Sequence, residues 1–224
     1  MQTINHSFFT YIQRNQNVYL LNTEQLTNER YSKTLNEYPK ELRMIDYMNS
    51  NLKYYDISYK KYILPYQINP NEIFNIGKVK DVCIIGTINN IPVKRQRAID
   101  SLREKDIHVD IITGFGTNRD VILFKYKIII NIGYFDNYKI METFRCDRCV
   151  YNKMIVVSDY KEDYNDYHLK DHVIFTEYDN IPDKVIDILQ NYDKYYEKLF
   201  SNFDLNKINN TLANSSKELL EAIS

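Results

Sequence analysis

Residues 121–159, VILFKYKIIINIGYFDNYKIMETFRCDRCVYNKMIVVSD, decide the fold of this chain. Three isoleucines at 128–130 form an apolar run that stops at Asn131, and residues 155–157 form a second run that stops at Ser158 and Asp159. Apolar runs of this length, bounded by loop residues, are typical of strands that are buried on both faces of a parallel sheet. The stretch therefore predicts two parallel strands whose carboxyl ends carry polar residues.

A helix is predicted between these two strands, over residues 141–151. Glu142, Arg145 and Arg148 are spaced three residues apart in it, which places them on one side of the helix. In open α/β sheets, ligands bind beyond the carboxyl ends of the strands. We therefore expect a ligand site between this helix and the two strand ends.

The composition bounds the class of protein. The 224 residues fit one large domain or two small ones, and a hydrophobic fraction of 44% supports a packed core. A net charge of −1 gives no field that favours nucleic acid or an anionic membrane. No apolar run is long enough for a transmembrane helix, and the N-terminus lacks the basic region and apolar core of a secretory signal. Because the three cysteines are odd in number, we expect a reducing, cytoplasmic location rather than a disulfide framework.

The first 75 residues predict a small subdomain with short elements. They are a strand at 17–21, a polar helix at 28–38, a short strand or helix at 41–49, and an extended segment at 61–64 before Pro65. A turn-rich connection follows, and we place a domain boundary near residues 68–78.

The pattern then becomes regular, with strands alternating with helices. Besides the opening stretch, it predicts strands at 80–85, 109–113 and 173–175 and helices at 92–105, 118–124 (with Asn118 as N-cap) and 181–191 (opened by Pro182). Residues 192–224 predict one or two amphipathic helices. Such alternation indicates an α/β fold with a Rossmann-like, doubly wound parallel sheet. The predicted division is 1–75, 76–192 and a C-terminal helical extension, 193–224.

Two turns with glycine follow predicted strands and are candidate phosphate-binding loops. Gly86 and Thr87 follow the first regular strand, and Gly114 and Gly116 flank Phe115 after the second. A residue without a side chain lets the backbone approach a ligand, and the next helix offers free N–H groups. Neither GxGxxG nor GxxxxGK[ST] occurs, so the sequence has no dinucleotide fingerprint and no P-loop. Plain tight turns explain these glycines nearly as well.

Two groups of charged residues could contact a ligand. Lys94, Arg95 and Arg97 lie in the first turns of the helix at 92–105 and could neutralise a diphosphate, although a solvated basic face is the alternative. Glu142 could accept hydrogen bonds from sugar hydroxyls, and Arg145 could bind phosphate oxygens with two donors. The alternative for this pair is a surface ion pair of little energetic weight.

Two further motifs do not support a metal or redox site. Cys146 and Cys149 have the spacing of a redox or zinc motif but fall inside a helix, with no second ligand pair, and we expect them to be buried and inert. His168 and His172 are four residues apart without the glutamate of HExxH, which favours a solvated pair. We therefore expect no metal site.

Residues 82–159 resemble the C-terminal, nucleotide-sugar-binding domain of GT-B glycosyltransferases, and within them the spore-maturation-type group. Members of that group have a strand ending in Gly-Ser/Thr, a helix bearing arginine, a glycine-rich loop, an apolar strand ending in Asn, a helix bearing Glu and Arg, and a strand ending in a VVSE-like motif. The earlier segments LLNTEQL (20–26), DYMNSN (46–51) and ILPYQ (63–67) also resemble segments of those proteins. The matching residues are Gly86, Thr87, Arg95, Gly114, Gly116, Asn131, Glu142, Arg145, Ser158 and Asp159.

The resemblance implies an enzyme that transfers a sugar from a nucleotide-sugar donor to a glycan or another acceptor. By this resemblance Glu142 contacts the donor sugar or ribose, Arg95 lies near the diphosphate, and Asn131 and Gly133 line the base or sugar pocket. Arg145 and Asp159 complete the expected catalytic group; the glycine turns and Ser158 complete the donor site. Such enzymes generally need no tightly bound metal or other cofactor.

This sequence departs from the family pattern in three ways, and these departures leave functions other than sugar transfer open. Family members commonly have a longer N-terminal domain, which here must be reduced, and often a His at the position of Gly133. The second carboxylate of a spaced Glu pair is also absent, since Cys149 and Val150 stand there. One alternative is therefore a non-catalytic module that binds a nucleotide sugar or a protein, and a weaker one is a flavodoxin-like regulatory domain. The apolar surface exposed by a reduced N-terminal half would favour a homodimer.

Overall fold

The computed structural model describes residues 18–89, 91–134 and 136–224. The N-terminal segment that we used to argue against a secretory signal lies outside these residues, as does Asn17, the predicted start of the first strand. Contacts between Cα atoms divide the chain into two compact units: the residues up to Gln67 together with Lys207–Ser224, and Ile68–Asn206. The division between Gln67 and Ile68 lies at the edge of the boundary predicted near residues 68–78, and residues 207–224 group with the N-terminal part of the chain.

The first unit contains a parallel sheet of three strands in the order β1 (Tyr19–Asn22), β2 (Arg43–Asp46) and β3 (Lys60–Ile63). Helix α1 (Glu29–Asn36) connects β1 to β2, and the side chain of Asn28 caps it by accepting a hydrogen bond from the Arg30 N–H. The segment at 41–49, predicted as strand or helix, forms β2. A core of buried side chains covers the sheet: Leu26, Leu35, Leu42, Met44, Tyr55 and Tyr59.

A buried hydrogen-bond cluster around Asp46 joins the carboxyl ends of β1 and β2. Oδ2 of Asp46 accepts hydrogen bonds from Asn22 Nδ2 (2.8 Å) and Tyr55 Oη (2.6 Å). Oδ1 accepts from the Met48 N–H (2.9 Å) and Asn51 Nδ2 (3.0 Å). Asp46 is fully buried, and burial raises its pKa while these four donors oppose that rise. The cluster fixes the loops after β1 and β2 to each other.

The second unit contains a parallel sheet of five strands. The strands are β4 (Lys80–Ile85), β5 (Val109–Ile112), β6 (Tyr126–Asn131), β7 (Ile155–Asp159) and β8 (Val173–Thr176), in the spatial order β5-β4-β6-β7-β8. The isoleucines of β6 and the apolar residues of β7 are at most 1% exposed, as expected for strands covered on both faces. The strand order reverses between β4 and β6, which is the position where doubly wound sheets bind ligands.

Four helices connect or follow these strands: α2 (Val93–Arg103), α3 (Gly116–Leu123), α4 (Thr143–Tyr151) and α5 (Ile181–Gln190). The prediction of an α/β fold with a parallel sheet flanked by helices is confirmed. The predicted N-cap at Asn118 is wrong, because α3 begins at Gly116 and its N-cap is Phe115. Gly114 and Gly116 have φ of 90° and 68°, which lets the chain turn directly from β5 into the helix.

The C-terminal part forms three helices rather than the one or two predicted: α6 (Tyr192–Phe200), α7 (Leu205–Ser215) and α8 (Lys217–Ile223). In the first unit, α8 lies against β3, and Tyr19 Oη donates a hydrogen bond to the Ala222 carbonyl (3.1 Å). Of the helices in the described ranges, none has the length and apolar character required to cross a membrane.

Arg148 does not share the surroundings of Glu142 and Arg145, although the spacing of three placed all three residues on one helical side. Arg148 Nη2 and Nε donate to Oδ2 of the fully buried Asp120 at 2.6 and 3.0 Å. Arg119 pairs with the other oxygen of Asp120 at 2.7 Å, and Arg148 Nη1 reaches Glu72 at 2.6 Å. These bonds tie α3 to α4 and give Arg148 a structural role.

Candidate functional site

Arg95 lies at the topological switch point of the five-stranded sheet, where the strand order reverses between β4 and β6. The residue is 3% exposed; Nη1 donates to the Ile85 carbonyl at the end of β4 (3.1 Å), and Nε donates to the Ile132 carbonyl just beyond β6 (2.8 Å). The remaining nitrogen, Nη2, is buried and has no hydrogen-bond partner. Buried donors are rarely left unpaired, so this nitrogen is available to an acceptor that enters the site.

Gly86 follows β4 directly and lies against this guanidinium. A Cβ atom added at Gly86 would be 3.2 Å from Arg95 Nη1, which is closer than ordinary side-chain contacts. The Gly86 N–H donates to the Ile112 carbonyl at the end of β5 (3.1 Å). Glycine at this position therefore leaves room for the arginine that the two carbonyls hold. A plain tight turn would not require this close approach.

Glu142, Arg145, Asn131 and Ser158 form a connected polar group between β6, β7 and α4. Arg145 Nη1 pairs with Glu142 Oε2 and lies 3.3 Å from Asn131 Oδ1. Asn131 Nδ2 in turn donates to Ser158 Oγ (3.0 Å), and both Asn131 and Ser158 are fully buried. The structure thus brings together four residues that the sequence placed at one site.

Asp159 ends β7 and is held by two lysines. Lys94 Nζ lies 3.1 Å from Oδ2, and Lys161 Nζ lies 2.7 Å from Oδ1. The backbone carbonyl of Lys94 accepts a hydrogen bond from Tyr178 Oη (2.6 Å), and Lys94 Nζ lies 4.8 Å from the centre of that ring. Sequence reasoning missed Lys161, whose side chain is only 2% exposed; no feature of the sequence separates it from surface lysines.

The combined group carries more positive than negative charge. Its cations are Lys94, Arg95, Arg145 and Lys161, and its carboxylates are Glu142 and Asp159. Burial lowers the pKa of Arg95 to about 10, and the neighbouring charge of Arg145 contributes to that decrease. Arg95 therefore stays protonated at neutral pH but lies in a position where an additional negative charge would be stabilising.

Helix α2 adds a further electrostatic contribution at the same edge. It begins at Val93, and Pro92, its N-cap residue, makes no side-chain capping bond. The first N–H groups of the helix therefore keep the partial positive charge that attracts anions. Together with the cationic surplus, this geometry can bind a ligand that carries two or more negative charges.

The remaining predicted binding residues lie along the same edge. Thr87 is exposed in the loop after β4, and Gly133 is buried next to Ile132 after β6. Gly114 and Gly116 lie in the neighbouring loop after β5, where they flank Phe115, whose side chain is 92% exposed. A Cβ atom added at either glycine would have no atom within 4 Å, and the role of these glycines in binding stays a prediction.

Neither the cysteine motif nor the histidine motif forms a redox or metal site in the described part of the chain. Cys146 and Cys149 are fully buried, and burial raises the pKa of both thiols, so they are inert. The predicted solvated histidine pair is wrong: His168 Nε2 lies 3.1 Å from the buried carboxylate of Asp147, and His172 Nδ1 lies 2.6 Å from the Leu199 carbonyl. Within the ranges that the structure describes, no group of three or more His, Cys, Asp or Glu side chains could hold a metal ion.

No protein-family model matches this chain. Two similar proteins come from Acanthamoeba polyphaga mimivirus: protein L140 is 33% identical over 195 residues, and protein L137 is 32% identical over 194 residues. These matches cover 82% and 81% of this chain, but the chain spans only 62% of L140 and 26% of L137. The names of both viral proteins assign no activity.

The fold is shared with a solved structure, that of Anabaena HepE in complex with UDP-glucose. The two structures superpose with a TM-score of 0.57, at 11% sequence identity, over 93% of this chain and 74% of the HepE chain. At this identity the similarity establishes the α/β fold alone.

Proposed function

We propose that this chain binds a nucleotide sugar at the carboxyl edge of the five-stranded sheet and transfers the sugar to an acceptor, as GT-B glycosyltransferases do. The proposal rests on the position of Arg95. Two carbonyls at the ends of β4 and β6 hold its guanidinium by hydrogen bonds, and Nη2 has no partner and can bind a ligand. A shared fold with HepE, which binds UDP-glucose, makes UDP-glucose the first donor to test.

The cations of the site suit a diphosphate. Arg95 Nη2 and the uncapped start of α2 would bind phosphate oxygens, and Lys94 and Lys161 would add charge next to them. As the bond from the sugar C1 to the diphosphate oxygen breaks, negative charge grows on the departing nucleoside diphosphate. Positive groups that are already in place stabilise that charge without reorganisation.

The two carboxylates would have different roles. Glu142, which is held by Arg145, is placed to accept hydrogen bonds from hydroxyl groups of the donor sugar. Oδ2 of Asp159 accepts a hydrogen bond from Lys94, and Oδ1 lies in an ion pair with Lys161 that does not have hydrogen-bond geometry. We therefore propose that Asp159 positions these lysines rather than acting as a base. This changes the role that we predicted for Asp159 from the sequence.

One alternative function is a binding module without transferase activity. It is favoured by the pairing of both carboxylates with cations, because each would have to give up a contact with its cation to take a proton from an acceptor. This alternative shares the donor site with the transferase, so donor binding alone does not separate the two.

The test has two stages. Thermal unfolding is first measured with UDP-, GDP-, TDP- and CMP-sugars; a ligand at 100 times its Kd stabilises by about 2.7 kcal/mol, which raises the Tm of a chain of this size by roughly 5–10 °C. Release of free nucleotide from the stabilising donor is then followed over time. Nucleotide release supports the transferase, binding without release supports the binding module, and no stabilisation by any donor contradicts both.

A further inference from the structure

The second unit contains a cavity at the amino-terminal edge of its sheet, opposite the edge that carries Arg95. The cavity has a volume of about 490 Å³ and lies between residues 73–78, the end of α4 and the start of α6. This volume is within the roughly 300–1,000 Å³ typical of small-molecule sites. Because the six residues of β4 span roughly 20 Å, the cavity is separate from the proposed donor site.

Lys78 supplies a cation to this cavity. Its Nζ donates to the Phe124 carbonyl (2.8 Å) and the Asn152 carbonyl (3.0 Å), and these two residues are the C-caps of α3 and α4. An ammonium has three N–H groups, so one remains after these two bonds. No carboxylate of the described residues pairs with Lys78, and burial lowers its pKa to about 8.

Tyr192 supplies a second donor. Its hydroxyl is buried and has no hydrogen-bond partner, and burial raises the pKa of Tyr192 to about 12, so the hydroxyl keeps its proton. Capping of two helices by Lys78 accounts for that lysine but leaves the buried hydroxyl and the open volume beside it unexplained. An oxygen acceptor bound in the cavity would satisfy the unpaired donor.

Four of the twelve residues that line the cavity are aromatic. Phe74, Tyr151, Tyr192 and Tyr196 line it, and the rings of Tyr192 and Tyr196 lie 5.8 Å apart between centroids. Aromatic walls favour a flat apolar body through offset or edge contacts. The charged lining residues are two lysines and one aspartate, which leaves a net positive charge: Lys78, Lys153 and Asp193.

We propose that this cavity binds a small anion with an aromatic body, of the class of aromatic carboxylates and phenyl phosphates. The anionic group pairs with Lys78 and accepts a hydrogen bond from the Tyr192 hydroxyl, while the ring of the ligand packs against the aromatic walls. Binding at this edge of the sheet is independent of whether the opposite edge binds a nucleotide sugar.

The direct test is an NMR titration of the backbone amides of the full chain. Benzoate and phenyl phosphate are expected to shift the amides of Gly77, Lys78 and Tyr192 saturably. Benzamide, which lacks the charge, and inorganic phosphate, which lacks the ring, should bind at least about tenfold more weakly, since each loses one of the two interactions. Above a pH of about 8 benzoate should bind more weakly, because Lys78 loses its proton.

Variants separate the proposed contacts from folding. Tyr192→Phe removes only a hydroxyl that has no partner, so the protein should fold as before and bind benzoate at least about fivefold more weakly. Lys78→Met should abolish the preference for benzoate over benzamide. Lys125→Met, which changes an exposed lysine outside the cavity, should have no effect.

Several results would overturn the proposal: no saturable shift at the cavity amides, equal affinity for benzoate and benzamide, or unchanged benzoate binding in Tyr192→Phe. Equal affinity for phenyl phosphate and inorganic phosphate would show that the cavity does not recognise the aromatic ring of the ligand, and would overturn that part of the proposal. A parallel titration with UDP, read at the amides of Gly86 and Gly133, reports on the opposite edge. Failure of the nucleotide-sugar proposal is thereby distinguished from failure at the cavity.

Discussion

Replacing Arg95 by methionine tests the proposed donor site most directly. Methionine keeps an unbranched, flexible side chain that ends at about the position of Nε, and it removes the charge and all the guanidinium donors. The variant therefore deletes the two bonds to the Ile85 and Ile132 carbonyls and the unpaired Nη2 together. The question is whether donor binding or folding suffers more.

The structure allows both effects to be estimated. A hydrogen bond from a charged donor contributes about 1.5–3 kcal/mol, so loss of one bond to the diphosphate should weaken UDP-glucose binding by roughly 10- to 150-fold. For folding, the two lost bonds to carbonyls cost a similar amount each. That cost is offset by about 3 kcal/mol, because burial and the nearby Arg145 disfavour the charge on Arg95 and lower its pKa from 12.5 to about 10. The net loss of folding stability should therefore be no more than about 3 kcal/mol.

The assay is calorimetric titration of UDP-glucose, with urea unfolding of the same samples. Arg97→Met is the matched control, because Arg97 lies on the same helix two residues later and is exposed. The control should bind UDP-glucose as the wild type does, with at most a small electrostatic loss. A folded Arg95→Met protein that binds UDP-glucose with unchanged Kd would refute the assignment of Nη2 to the diphosphate.

Three further predictions concern other parts of the chain. Glu142→Gln should retain UDP-glucose binding within about tenfold and lose most nucleotide release; wild-type release rates would contradict a role in orienting the sugar. Asp46→Ala should lower the free energy of unfolding of the first unit by about 3–5 kcal/mol, because four buried donors lose their acceptor, and urea unfolding would measure this. A thiol reagent should react with no cysteine in the native protein and with three after unfolding, since all are fully buried; fast reaction of the native protein would contradict the burial of Cys83, Cys146 and Cys149.

The five-stranded sheet could be predicted from the sequence because its signals are local. The isoleucines that end at Asn131 and the apolar run that ends at Ser158 are buried on both faces, and continuous apolar runs of that length have few other uses. Gly114 and Gly116 were equally visible as a turn. Their conformation, however, starts α3 at Gly116, and so the apparent cap at Asn118 was not needed.

The contacts of charged side chains could not be predicted in the same way. Arg145 and Arg148 have the same spacing from one another as Arg145 and Glu142, yet Arg148 turns to Asp120 on a different helix. Lys161 lies two residues beyond β7, and its buried side chain pairs with Asp159. Such pairings depend on the path of loops, on which periodicity carries no information.

The C-terminal helices show a related limit. The apolar positions of residues 193–224, such as Leu212 and Leu219, correctly indicated helices with one buried face. An amphipathic pattern specifies that a face is covered but not which part of the chain covers it. Contacts group residues 207–224 with the first unit, whereas the sequence suggested a separate extension.

The 3.2 Å approach between a Cβ at position 86 and Arg95 Nη1 has a consequence for how this protein can evolve. Alanine at position 86 would require the guanidinium to move by a few tenths of an ångström while the strand-end carbonyls hold it, whereas a shorter side chain at position 95 would remove this close contact. The two positions are therefore expected to change together among descendants of this sequence. Lineages that retain the arginine should keep glycine, and lineages that lose it should accept larger residues at position 86.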